Sequence, residues 1–255
     1  MGEQRLDKVL SQSKVGSRKD CETFIRRGRV AVDGIIVKKS DIKVNDSCVI
    51  TLDDKPIIRR RKVVCIMNKA KGYVTATEDE INETVMTFLP QEFLNQEVVP
   101  VGRLDKDTEG LLVFTNDGNL NHRLISPKHE VPKVYYVEHE RPVLEEHILM
   151  ARNGIVLKDN SICKSAIVKP CNKEGVYSSL IQIREGMYHQ VKRMYGAMGL
   201  GLLSLKRVQI GSITLGSLKS GEVRELTEVE IEGLFDTDSS ILFEPCNKSE
   251  TNQMK

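Results

Sequence analysis

Leu111-Leu112-Val113-Phe114 is an unbroken apolar run bounded on both sides by turn-forming residues. Ahead of it lies Gly102-Arg103-Leu104-Asp105-Lys106-Asp107-Thr108-Glu109-Gly110, and behind it Thr115-Asn116-Asp117-Gly118. A short run with no polar alternation reads as a buried, central strand, and Asn, Asp and Gly close it. The polar turn before that strand carries Asp105 and Asp107 beside Arg103. A carboxylate held at a strand edge next to an arginine is a candidate nucleophile or base. Asp-x-Asp is also a spacing that can hold magnesium, but no third carboxylate arrives at a useful spacing, so no metal is expected.

A chain of 255 residues, 40% of them hydrophobic, is long enough for one large or two smaller packed domains. No run of about 18 apolar residues occurs, so no membrane span is expected. The N-terminus, MGEQRLDKVL, lacks the apolar core of a signal peptide. Cys21, Cys48, Cys65, Cys163, Cys171 and Cys246 are scattered without a Cys-x-x-Cys pair, and the histidines show no metal-ligand pair at helical spacing. Neither a metal nor a cofactor is implied, and a reducing cytoplasm is the simplest compartment.

Charge is unevenly distributed. Residues 1–62 hold 16 Lys and Arg against 9 Asp and Glu, whereas residues 221–255 hold 3 against 9. A basic block on a near-neutral body is the footprint of a nucleic-acid binder, and the bland alternative is a solvated surface. Within that block Leu6, Val9 and Leu10 form an apolar helical stripe. Ser17 is a candidate N-cap with Asp20 at N3. Phe24 and Ile25 face inward, Arg18, Lys19, Arg26 and Arg27 outward, and Gly28 ends the helix. Asp33-Gly34 between β-branched runs predicts a hairpin, and 44–52 supplies one more strand. Arg59-Arg60-Arg61-Lys62 reads as a linker or as a phosphate-tracking run.

The helix–helix–hairpin–strand unit resembles the S-four RNA-binding domain, on Arg5-Leu6-Asp7-Lys8, Ser17-Arg18, Ile25, Gly28-Arg29-Val30 and Val32-Asp33-Gly34. That resemblance implies a patch made by Arg18, Lys19, Arg26, Arg27 and Arg29 that grips RNA through backbone and shape. The motif from Gly102 to Gly118 resembles the active-site signature of the pseudouridine synthases, in the subfamily that modifies bacterial ribosomal RNA. The resemblance implies that Asp105 is the catalytic nucleophile.

Three further segments extend the likeness. Lys133-Val134-Tyr135-Tyr136-Val137 matches the family's Lys-x-Tyr-x-Val, so Tyr135 inherits the role of active-site tyrosine, able to stack on a uracil and shuttle a proton. From the residues alone, Tyr135 reads as a strand tyrosine packed in a core. Tyr188-His189-Gln190-Val191-Lys192-Arg193-Met194 opens a helix whose Val191, Met194 and Tyr195 face the core. In the family a basic residue at Lys192 pairs with the catalytic aspartate. The alternative for Lys192 and Arg193 is ordinary helix-surface charge, and His189 lacks a visible partner. Leu202 to Val208, Gly211 and Leu226 to Ile231 match the family's closing strand, turn and end. Ala70 stands where the family has proline, and Val131-Pro132 before Lys133 is a second departure. Neither touches the chemistry.

The expected fold class is α+β: a small αβ RNA-binding domain (1–58), a basic linker (59–62), a mixed, mainly antiparallel sheet catalytic domain of pseudouridine synthase type (63–235) and a polar acidic tail (236–255). The Tyr188–Met194 motif resembles the branch acting on 16S, small-subunit rRNA at the uridine conventionally numbered 516. The expected partner is therefore 16S rRNA within an assembling subunit, bound by Arg103, Arg193 and the S-four cations, with the protein a monomer. A large-subunit rRNA or tRNA synthase and a non-catalytic RNA-binding protein are the alternatives.

Overall fold

In the computed structural model, which describes residues 3–13, 15–45, 47–57, 61–173 and 175–242, the chain divides into two units, Met1–Arg61 and Lys62–Lys255. In the first, β1 (Gln4–Arg5) runs into α1 (Leu6–Gln12), and α2 (Arg18–Arg26) follows. Ser17 and Asp20 close a reciprocal capping box on α2, which satisfies amides left free at the helix start. Gly28 leaves the helix at φ 71°, as a C-terminal glycine does. The hairpin between β2 (Val30–Val32) and β3 (Ile35–Val37) turns on Asp33 and Gly34, both at positive φ, the conformation that a two-residue Asp-Gly loop demands.

The single strand expected over 44–52 is instead two. β4 (Lys43–Val44) pairs with β1, whereas β5 (Ile50–Leu52) pairs with β2 and with β6 (Lys55–Pro56). The turn at Asn45, whose side-chain oxygen accepts from the Ser47 and Cys48 amides, separates them. Leu6, Leu10, Cys21, Ile25, Val30 and Ile50 are the buried centre of this unit.

The second unit is built on β7 (Val64–Lys69), β8 (Val99–Val101), β9 (Glu109–Thr115), β10 (Lys133–His139), β11 (Ile167–Lys173), β12 (Val176–Ile183), β13 (Leu202–Ile210), β14 (Ile213–Thr214) and β15 (Val223–Glu225). The sheet order is β11-β12-β10-β13-β9-β7-β15, with β8 added to β9 and β14 to β13. All pairings are antiparallel except β9 with β13, which gives the mixed, mainly antiparallel sheet expected. β9 is central and buried on both faces. Leu112 and Phe114 enter one core with Cys65 and Met67, while Leu111 and Val113 enter the other with Val64 and Ile66. Burial on both faces is why its sequence lacks alternation.

Helices α3 (Gln91–Leu94), α4 (Gly118–Ile125), α5 (Glu145–Asn153), α6 (Gln190–Ala197) and α7 (Glu228–Gly233) complete the unit. Val191, Met194 and Tyr195 of α6 pack into the first core. Past α7, Ser239 Oγ donates to Gly211 O (2.7 Å) and the Leu242 amide to Gln209 Oε1 (2.8 Å). The first residues of the polar tail are thus docked onto the sheet. Residues 243–255 of the tail and 58–60 of the basic junction lie outside the described residues.

The parallel pairing of β9 with β13 is short: Lys206 lies opposite Glu109 and Arg207 opposite Gly110. Beyond it the two strands diverge, β9 continuing against β8 and β13 against β10. The polar turn between β8 and β9 lines a cleft there together with Leu205, Arg207 and Ile210 of β13.

Candidate active site

The turn carrying Asp105 is fixed from behind by groups on β7 and the segment after it. Lys69, wholly buried at the end of β7, donates to three carbonyls: Thr108 O (2.8 Å), Ala70 O (3.0 Å) and Lys106 O (3.3 Å). The Thr75 hydroxyl donates to Leu104 O (2.8 Å) and accepts from the Leu104 amide (3.2 Å). Gly72 N donates to Lys106 O at 2.7 Å, and Thr108 N closes the turn on Asp105 O at 3.1 Å. Burial pushes the Lys69 pKa down to about 8, against the pull of Asp107, Glu109 and Asp105.

On the open side, α6 delivers the cation. Lys192 Nζ lies 2.9 Å from Asp105 Oδ2 and 2.6 Å from Asp107 Oδ1. Burial works against the charge on Lys192, but the hydrogen bonds to Asp107 and Asp105 outweigh it and raise its pKa above that of an ordinary lysine. The same contact holds Asp107 below the usual carboxylate range. The acidic pair therefore converges on an ammonium, and among the described residues no group of three or more His, Cys, Asp or Glu is gathered to hold a metal.

His189 also meets Asp105, with Nε2 3.3 Å from Oδ1, so the histidine without a visible partner in the sequence has one in the fold. It is the N-cap of α6 and sits in the left-handed region at φ 48°. Tyr188, largely exposed, stacks on its ring with centroids 3.8 Å apart.

Asp105, Lys192 and Tyr135 all line one cleft of about 210 Å³, together with Arg103, Lys133 and Arg207. Tyr135 is only 9% exposed. It belongs to the core, as its residue type suggests, and also lines the cleft. Arg103 is exposed at the cleft. Arg193, by contrast, is not among the cleft-lining residues. It forms an ion pair with Asp159 (2.5 Å) and donates to Tyr188 O (3.3 Å).

The basic unit sorts its cations in two. Arg18 donates to the buried Asp7 (3.0 Å), which Arg5 also grips, and so has a structural partner while staying 57% exposed. Arg29 is paired with Asp53 and lies over the Phe24 ring at 4.7 Å. Lys19, Arg26 and Arg27 are exposed, and no ion pair engages them among the described residues.

Sequence reasoning missed Lys69, Thr75 and Arg207 as site residues. A lysine ending an apolar strand and an arginine in a central strand were the available signals, since both types are rarely buried without a role.

Residues 63–197 match the model of the RNA pseudouridylate synthases, and residues 4–48 match the S4 domain. An uncharacterised RNA pseudouridine synthase of Bacillus subtilis is 40% identical over 232 residues, covering 89% of this chain and 96% of that protein. The ribosomal small subunit pseudouridine synthase A of Escherichia coli is 38% identical over 230 residues, covering 89% and 98%. A crystal structure of a pseudouridylate synthase superposes with a TM-score of 0.64 at 33% identity, covering 90% of this chain and 99% of that one. With the family model spanning more than half of the chain and relatives matched nearly end to end, this chain belongs to the RNA pseudouridylate synthase family.

Proposed function

We propose that this protein isomerises one uridine of 16S, small-subunit rRNA to pseudouridine at the site conventionally numbered 516, with Asp105 as the nucleophile. The supporting observation is the placement of Asp105 in a cleft beside Tyr135, held by Lys192 at 2.9 Å. The choice of RNA draws on the Tyr188–Met194 motif and on relatives named for the small subunit.

Pseudouridine formation breaks the N-glycosidic bond, turns the uracil and rejoins it through carbon five. The base must leave the RNA stack to reach Asp105. Tyr135 lies beside the base and Lys192 aims the carboxylate. Arg103, two residues from Asp105 and exposed, fills the gap or holds the displaced strand. Arg18, Lys19, Arg26, Arg27 and Arg29 contact phosphates, with Arg193 a further RNA contact on α6. The enzyme acts as a cytoplasmic monomer on the assembling subunit.

The test is to incubate the protein with unmodified small-subunit rRNA, bare and with early ribosomal proteins bound, and to map pseudouridine. A single site at the expected uridine supports the proposal. A site in large-subunit rRNA would keep the chemistry and move the target. Binding without modification of any RNA would favour a non-catalytic role.

A further inference from the structure

Arg207 on β13 is 4% exposed. Its Nε donates to Leu111 O at 2.7 Å, and its buried NH2 nitrogen has no partner. Lys133 on β10 donates to Val131 O at 3.0 Å, which uses one of three ammonium protons. Both residues line the cleft that holds Asp105, and Arg207 stands opposite Tyr135 in the β10–β13 register. Among the described residues no carboxylate forms an ion pair with either. A half-buried cation beside a buried one with an orphaned donor is costly without an acceptor.

Resting on the pseudouridine reading above, we propose that Lys133 and Arg207 form a donor-only floor that takes a carbonyl oxygen of the target uracil and holds the negative charge that the base acquires when its bond to ribose breaks. Uracil presents oxygens at carbons two and four, whereas cytosine presents an amine at carbon four. A floor that can only donate, where it meets carbon four, accepts uracil's oxygen and rejects cytosine's amine, whereas at carbon two both bases present an oxygen. When the N1–C1′ bond breaks, its electron pair stays with the base, spread over N1 and the two oxygens. Hydrogen bonds from cations are stronger to that anion than to the neutral carbonyl, so the floor favours the cleaved state. As C5 joins C1′, Asp105 is released as the free carboxylate, the C5 proton leaves and N1 takes one up, and the reaction remains an isomerisation.

Burial, reinforced by Arg207, lowers the Lys133 pKa to about 8. The other charged groups facing the cleft are Asp105, Lys192, His189, Glu185, Arg184 and Arg103.

Lys133→Met keeps the volume and removes the charge, and Lys133→Arg restores a donor. On an RNA that the wild type modifies, Lys133→Met is expected to lower the single-turnover rate about 100-fold, with RNA affinity within about twofold and no loss of Tm, and Lys133→Arg to recover part of the rate. Replacing the target by 2-thiouridine and by 4-thiouridine supplies a second readout independent of folding. One of the two substitutions slows the wild type and slows Lys133→Met no further. A Lys133→Met enzyme at wild-type rate, or thio effects equal in both proteins, would overturn the donor floor while leaving the enzyme's function intact. A wild type that modifies no RNA would overturn the functional reading and the floor with it.

Discussion

His189 Nε2 stands 3.3 Å from Asp105 Oδ1, and the histidine reaches that point from a left-handed backbone conformation at φ 48°. Asparagine tolerates this conformation and alanine does not. His189→Asn is therefore expected to keep the melting temperature and, because its side chain is shorter, to lower kcat about tenfold with little change in KM. His189→Ala is expected to lose about 1 kcal/mol of stability as well. Steady-state kinetics and urea titration of both variants check this. A kcat at the wild-type level in both would remove His189 from the positioning of Asp105.

Lys192 is shared between two carboxylates 2.9 and 2.6 Å away. In Lys192→Met, Asp105 and Asp107 face each other without the cation, so both Tm and kcat should fall, kcat by about 100-fold. Adding Asp107→Asn relieves the repulsion and should restore Tm but not turnover, because Asp105 still lacks its aiming partner. Thermal unfolding and single-turnover assays of the double variant separate the two roles.

The local features of this chain were legible because each is decided by neighbours in sequence. Ser17 with Asp20, Gly28, and Asp33 with Gly34 each adopt the conformation that their residue types favour. The β4 and β5 break was not legible, since two- and three-residue strands are chosen by partners rather than by propensity. At the site, Asp105, Tyr135 and Lys192 could be named from motifs. The roles of Lys69, His189 and Arg207 depend on contacts between distant segments; even the Lys192–Asp107 bond joins residues 85 apart. No periodicity encodes such a contact.

Lys69 ties two carbonyls of the Asp105 turn, those of Lys106 and Thr108, to that of Ala70 from a buried position. Lys69→Met should cost about 2 kcal/mol, since those carbonyls lose a charged donor. The lysine pKa is about 8 when folded against an ordinary 10.5, so between these values the unfolded chain binds more protons. Stability contributed at this position therefore rises from pH 8 toward 10.5, and the full penalty for burying the charge is present below pH 8. Urea titrations at pH 7 and pH 10 should show the advantage of the wild type over Lys69→Met growing with pH. A shrinking advantage would contradict the assignment.

Gly110 sits at φ 105° where β9 meets β13, and a Cβ there would collide with the backbone of Arg207. Gly110→Ala is expected to cost more than about 3 kcal/mol, combining strain with loss of the strand pairing that shapes the cleft. Gly118→Ala, at the start of α4 with open space around it, should be neutral. Expression and thermal unfolding of the two variants side by side test the contrast.

The central claim is that Asp105 carries the chemistry and not the binding. Asp105→Asn changes the carboxylate to an amide at nearly constant shape. Filter binding and pseudouridine mapping on the same small-subunit rRNA measure both quantities at once. The account predicts RNA affinity close to wild type and no pseudouridine at the target. Normal turnover by Asp105→Asn would contradict it.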